Sequence, residues 1–324
     1  MFNNSSFEVL TSNLTNPTLL FFLLGIIAAL TKSDLEIPGP SIKFISLYLL
    51  FSIGFKGGQE LEHSHFTSEI WYSLIFGVVI AAAIPLYTFF LAKDKVGISN
   101  AGAIAASYGS VSAVTFVSAV TFLELQSISF GGHMIAVMAL MEFPAIVMGF
   151  ILIMKYEKNS ENTIGMKGIL KHAVSNGSVL MIMGSLIIGI IADSKQAEGI
   201  KPFTTDIFKG FLAIFLLEMG MITVKRFGSF RKHGLFVLLL AIILPLFNGC
   251  FIAIASGLVT EQIGNRFIFA ILAASASYIA VPAAMRLAAH KSDPGLYIPM
   301  ALGVTFPFNI TIGLPLYYFF IQMF

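Results

Sequence analysis

The sequence predicts an all-α polytopic membrane protein: about ten transmembrane helices forming two inverted five-helix repeats, with helices four and nine broken. Three observations lead there. Charged residues are scarce, since 19 Lys and Arg with 17 Asp and Glu make only 11% of 324 residues, where a soluble domain carries about a quarter. Hydrophobic residues make 57%, and mean hydropathy is +0.88. Two short strings recur about half a chain apart. A soluble protein of this size has too little charge here to cover so much apolar surface, which excludes an ordinary soluble enzyme. A net charge of +2 with no basic stripe argues against nucleic-acid binding. The single Cys250 cannot form an intrachain disulfide.

About 20 apolar residues cross the hydrocarbon as a helix, and strands would be half as long and alternating. Apolar runs bounded by charge fall at 17–31, 40–54, 69–92, 101–122, 130–154, 178–192, 205–224, 234–258, 267–287 and 295–323. Residues 1–16 carry Glu8 and no Lys or Arg, the wrong start for a cleaved signal peptide, so the first run is expected to remain as a span. The longest polar stretch, Lys155–Asn176, falls at the midpoint and is too small for a soluble domain. The expected division is a first five-span repeat over 1–156, a short cytoplasmic linker over 157–177 and a second repeat over 178–324.

Loop charge sets the orientation. Loops after the odd-numbered spans carry 13 Lys and Arg, among them Lys93, Lys95, Lys155, Lys158, Lys225 and Lys291. The opposite side carries five: Lys56, Lys195, Lys201, Lys209 and Arg266. Lys43 lies within span two, near its cytoplasmic start, and is unassigned; it and Arg286 can snorkel to the membrane edge. The positive-inside bias places the first side in the cytoplasm and both termini outside.

With an odd number of spans in each half, repeated halves must enter the membrane in opposite directions. Leu50-Phe51-Ser52-Ile53-Gly54-Phe55 matches Leu216-Leu217-Glu218-Met219-Gly220-Met221 at an offset of 166. Ile104-Ala105-Ala106-Ser107-Tyr108-Gly109 matches Leu272-Ala273-Ala274-Ser275-Ala276-Ser277 at 168. Near-equal offsets at two places are more telling than either match alone.

The richest site candidate is the small and hydroxyl-bearing run Ala105–Thr115 in span four, with its counterpart Ala274–Ala283 in span nine. Pro282 lacks an amide hydrogen and favours a break or kink there. A broken helix offers an amide end that attracts an anion, and carbonyls and hydroxyls that can ring a sodium ion. The competing explanation is close helix packing, which Gly, Ala and Ser promote without binding anything. Span ten holds Thr305 and Asn309, four apart on one face and flanking Pro307; packing and kinking explain them equally well. Two carboxylates lie inside apolar runs, Glu142 and Glu218, and intramembrane carboxylates are functional candidates by default. His63 and His65 with Glu60 and Glu62 sit in a charged, exposed stretch that makes a poor metal site. No His-Glu-x-x-His, phosphate-binding Gly-rich loop or Cys-x-x-Cys is present, so no enzyme machinery and no catalytic residue is visible.

These residues resemble the sodium-dependent bicarbonate transporter superfamily over nearly the whole chain. The resemblance rests on Ile53–Gly58, Tyr108–Ala113 with Thr115, Met141–Ala145, Met219–Met221 followed by Phe230–Lys232, and Ala273–Ser277 with Pro282 through Pro294–Ile298 to Gly303–Pro307. It implies ten spans as five-plus-five inverted repeats, a homotrimer, and elevator-like movement of a core domain against a gate domain. It places bicarbonate near Gly109, Ser110, Val111 and Ser112 and near Ser277, Tyr278 and Ile279. It places sodium beside them, with Ser107, Ser110, Thr115 and Ser275 as candidate donors. Sodium is then a co-transported ion, and no other cofactor is implied.

The chain departs from cyanobacterial members, which tend to have Asp where it has Tyr278, Gly-Pro where it has Val281-Pro282, and Ser-Gly where it has Ser112-Ala113. The family's central cytoplasmic loop is also much longer. The resemblance implies a sodium-dependent symporter importing bicarbonate, multi-pass in a bacterial inner (plasma) membrane, with a small soluble signalling protein as a possible regulatory partner. The alternatives left open are sodium- or proton-coupled transport of another small anion, and a non-transporting anion sensor.

Overall fold

In a computed structural model the described residues are 17–62, 67–157, 177–230, 234–278, 281–282, 284–285 and 291–324. All of their regular structure is helical. In chain order, α1 is Pro17–Leu30, α2 Gly39–Glu62, α3 Ser68–Val96, α4 Ile98–Gly109, α5 Ala113–Leu125 and α6 His133–Tyr156. They are followed by α7 Gly177–Ile191, α8 Ser194–Lys201, α9 Phe208–Phe230, α10 Gly234–Ala255, α11 Ile263–Ala274, α12 Pro294–Pro299, α13 Phe306–Phe308 and α14 Leu314–Met323. Wide π-type turns at Pro202–Asp206, Met300–Thr305 and Asn309–Gly313 join the neighbouring segments. The chain is therefore an all-α, multi-pass membrane protein. Among the described residues six helical stretches are long and apolar enough to cross a membrane, and three shorter apolar helices accompany them. Each of the ten apolar runs read from the sequence contains a helix.

The helices fall into two packed groups. In one, α1 lies against α9 and α2 against α7. Glycine makes both approaches possible. A side chain at Gly25 would strike the Leu217 carbonyl, and one at Gly220 would strike the Phe22 carbonyl. On the other pair, Gly58 and Gly189 face each other across α2 and α7, and Gly54 abuts Ile182 and Ser185. This is small-residue packing, in which close van der Waals contact replaces the hydrophobic drive that lipid removes.

The other group contains α3 to α6 and α10 to α14. One end of it is clasped by Glu69, whose carboxylate accepts from Thr260 at 2.5 Å and from Asn265 at 3.2 Å, while Asn265 Oδ1 accepts the Gly131 amide at 2.7 Å. At the opposite end Glu157 accepts from the Ser99 hydroxyl at 2.8 Å and pairs with Lys291 at 3.1 Å. The Asp293 amide there donates to Asn100 Oδ1 at 2.7 Å. Lipid-facing apolar side chains line α3 and α10, as at Ile75, Val79, Ile243 and Phe251.

Two local expectations are corrected. The sequence pattern ends span two at residue 54 and puts Lys56, Gly57 and Gly58 in a loop. Instead α2 continues to Glu62, because Gly57 seats Ile135 and Gly58 seats α7, and this packing outweighs glycine's poor helix propensity. The second break is attributed above to Pro282. Helix α11 already ends at Ala274, Ser275–Ser277 are non-helical, and Val281 and Pro282 are helical again. Proline is compatible with a first helical turn, where its missing amide hydrogen has no helical acceptor. Ile279, Arg286, His63, His65 and most of the central linker lie outside the described residues.

Candidate functional site

Helix α4 stops at Gly109. Ser110 follows with extended backbone, and α5 starts after Ser112, whose hydroxyl caps it by accepting the Thr115 amide at 3.2 Å. The stretch containing this break is 89% buried, against 39% for α3, so protein covers its freed backbone groups.

The two breaks are stitched together. The Ser277 amide donates to the Ser107 carbonyl at 2.8 Å, and the Ser107 hydroxyl returns to the Ser277 carbonyl at 2.5 Å. The Ser112 amide donates to the Ser275 hydroxyl at 2.9 Å, which itself donates to the Leu272 carbonyl at 2.9 Å. Ser107 and Ser275, expected as sodium donors, hold the two breaks together through these bonds. Ser110 is fully buried, and its hydroxyl has no partner among the described residues. Thr115 is buried one turn into α5.

The α11 end is braced from behind. Asn248 Nδ2 donates to the Ala273 carbonyl at 3.1 Å, and Asn309 Nδ2 to the Ala274 carbonyl at 2.8 Å. Tyr87 in turn donates to Asn248, and Tyr317 to Asn309 at 3.2 Å and to the Pro245 carbonyl at 2.8 Å. Thr305 donates to the Ala241 carbonyl at 2.7 Å and shares a hydrogen bond with Tyr108 at 2.7 Å. Thr305 and Asn309 therefore support the break. In the sequence Asn248 shows only as a lone amide inside Leu244–Cys250.

A cavity of 30 Å³ opens where the breaks meet α2 and α6. Val111, Ser112, Ser277, Tyr278, Glu142 and Leu50 line it. Four expected anion-site residues and one of the two intramembrane carboxylates are thus brought together. Gly109 is not among them: a Cβ there would meet Pro85 and the Ala81 carbonyl of α3, so its glycine serves helix packing. Glu218 lies on α9 and does not line this cavity. The Tyr278 hydroxyl is buried beside Ser112. The first turn of α5 also carries the Ala113 and Val114 amides, and helix amide ends attract anions in general.

A larger cavity of 780 Å³ opens between α2, the Pro202–Asp206 turn, the start of α9, and α5. Its charged lining is Lys56, Glu60, Glu124, Asp206 and Lys209. Glu124 pairs with Lys209 at 3.0 Å and with Lys56 at 3.8 Å, bridging the two helix groups. Among the described residues no three His, Cys, Asp or Glu side chains converge as a metal cluster.

A family model described as the Na+-dependent bicarbonate transporter superfamily matches residues 17–322. The chain belongs to that superfamily. Members of the superfamily are transporters and not enzymes. No curated protein matches the chain. In this superfamily member, the family match covers both breaks, both cavities and every brace described above.

Proposed function

We propose that the protein is a sodium-dependent symporter that imports bicarbonate across the plasma membrane. The observation that carries this reading is the crossing of two interrupted helices, joined through Ser107, Ser112, Ser275 and Ser277 around a small cavity. An amide-rich helix end in a protein-covered site attracts an anion. Ser110 and Thr115 are the proposed sodium donors beside it, with Ser107 and Ser275 holding the frame.

Inverted five-helix repeats fit this mechanism. Gly54 and Gly220, 166 residues apart, make equivalent close approaches, one to α7 and the other to α1. The interruptions at 110–112 and 275–277 recur at a similar spacing. Ten spans, both termini outside and a trimeric assembly complete the proposal, with the group holding the breaks moving against the group of α1, α2, α7 and α9. The 780 Å³ cavity would then be the outer approach to the site.

A bicarbonate ion entering alone opposes a negative-inside potential by about 2.3 kcal/mol per 100 mV. One sodium ion cancels that penalty. A second reading, transport of a different small anion, is favoured by Tyr278, whose ring occupies space at a cavity of only 30 Å³.

Labelled bicarbonate uptake into liposomes containing the purified protein tests both. At fixed pH and clamped potential, an inward sodium gradient should produce saturable accumulation. Uptake that ignores sodium removes the symport reading. Competition by unlabelled anions separates bicarbonate from other cargo.

A further inference from the structure

We propose that Glu142 is the coupling carboxylate of this transporter, binding the monovalent cation, sodium or a proton, that accompanies the anion. The proposal deepens the anion-symport reading and rests on the same cavity. Glu142 lies in α6, two residues before Pro144, within an apolar helix. Its side chain lines the 30 Å³ cavity together with Ser112, the cap of α5, and Tyr278.

An anion drawn to the α5 amides would sit within a few ångströms of that carboxylate. Two negative charges so close in a water-poor site repel strongly. The anion can occupy the site only when Glu142 is neutralised, and the neutralising cation is then obligatorily carried with it. Among the described residues no Lys, Arg or His pairs with Glu142, and the proposal assigns its neutralisation to a cation from solution. Of the residues lining the cavity, only Glu142 and Tyr278 can titrate.

The helices packed against α6 carry their charges near their ends. On α2 these are Lys43, Lys56, Glu60 and Glu62; on α3, Glu69, Lys93, Asp94 and Lys95; on α11, Arg266. Helices α4 and α7 carry none. Ser107 and Ser275 join the two breaks, and the proposed donors Ser110 and Thr115 are neutral hydroxyls that carry no charge of their own. Among the described residues lining the cavity, Glu142 is the one carboxylate.

Cation binding to the purified protein tests this without relying on anion flux. Radiolabelled sodium binding is measured on wild type, Glu142→Gln and Glu142→Asp, each checked for folding by thermal melting. Proton uptake on adding bicarbonate is followed in parallel with a pH indicator. Sodium coupling predicts saturable sodium binding that weakens at least tenfold in Glu142→Gln and is largely restored in Glu142→Asp. Proton coupling predicts bicarbonate-dependent proton uptake that vanishes in Glu142→Gln and returns in Glu142→Asp. Wild-type sodium binding and proton uptake that both persist in folded Glu142→Gln overturn the proposal, as does a wild type that shows neither. Sodium binding that needs Glu142 while bicarbonate elicits no response keeps the carboxylate assignment and rejects bicarbonate as the cargo.

Discussion

The backbone amide of Ser112 and the hydroxyl of Ser275 meet at 2.9 Å, joining the first helix break to the second across 163 residues of chain. The same hydroxyl satisfies the Leu272 carbonyl at the end of α11. One side chain thus caps one helix and anchors the start of another. In a water-poor interior the Ser112 amide would otherwise be left with an unmade hydrogen bond, whereas the Leu272 carbonyl also accepts the Ser275 amide at 3.2 Å.

Ser275→Ala should therefore destabilise the protein by about 1–3 kcal/mol, the usual cost of orphaning a buried polar group. Thermal melting in detergent checks this. Uptake should fall more steeply than stability, because the α5 amide end loses its fixed position. Ser110→Ala, which removes a hydroxyl with no partner among the described residues, should leave the melting temperature almost unchanged while weakening sodium dependence.

Asn309→Leu and Asn248→Leu each uncap one carbonyl at the end of α11. Each variant should melt earlier, by an amount equivalent to about 1–3 kcal/mol. The pair should be non-additive, since both hold the same helix end. A double-mutant cycle on melting measures the coupling, and strict additivity would show that the two caps act independently.

Gly220→Leu should abolish accumulation of folded protein, because the new side chain would collide with the Phe22 backbone of α1. Gly184→Leu is the control: no atom lies within 4 Å of a side chain begun there, so folding should survive. Size-exclusion profiles of the two variants decide it. Equal profiles would mean that α1 and α9 can separate without cost.

Glu124→Gln removes the carboxylate to which both Lys56 and Lys209 are paired. The pairs are partly exposed, so melting should shift by less than about 1 kcal/mol equivalent. The 780 Å³ cavity becomes more positive, however, and KM for an anion should drop at low ionic strength. High salt should erase the difference by screening. An unchanged KM at low salt would exclude this cavity from the substrate path.

Orientation is open to a direct test in a Cys250→Ala background. A cysteine replacing Lys209 should react with an impermeant thiol reagent from outside intact cells, and one replacing Lys291 only after lysis. The reverse pattern would invert the charge-based topology.

Much of the architecture is legible from local features. Lys155 and Lys93 close apolar runs, and those runs appear as helices. The hydroxyl-rich string around Ser110 does contain a break. Less was legible about roles. Gly109 and Ser110 are neighbours of similar character in the sequence, yet one packs against Pro85 and the other buries a free hydroxyl. Thr305 and Asn309 read only as a polar pair on one face of span ten, and they brace the Ala241 and Ala274 carbonyls. Asn248 is marked in the sequence only as a lone amide in an apolar run, because its partner, the Ala273 carbonyl, lies 25 residues away.

By itself the sequence determined membrane residence, the helical runs and the approximate places where spans four and nine fail, because hydropathy, charge and small polar strings act through near neighbours. Only the tertiary structure decided that Ser107 and Ser275 tie the breaks together, that α2 runs on to Glu62, and that Glu142 rather than Glu218 faces the cavity. Those outcomes depend on which distant backbone group lies within about 3 Å of a given side chain, a distance set by helix packing and invisible in a one-dimensional pattern.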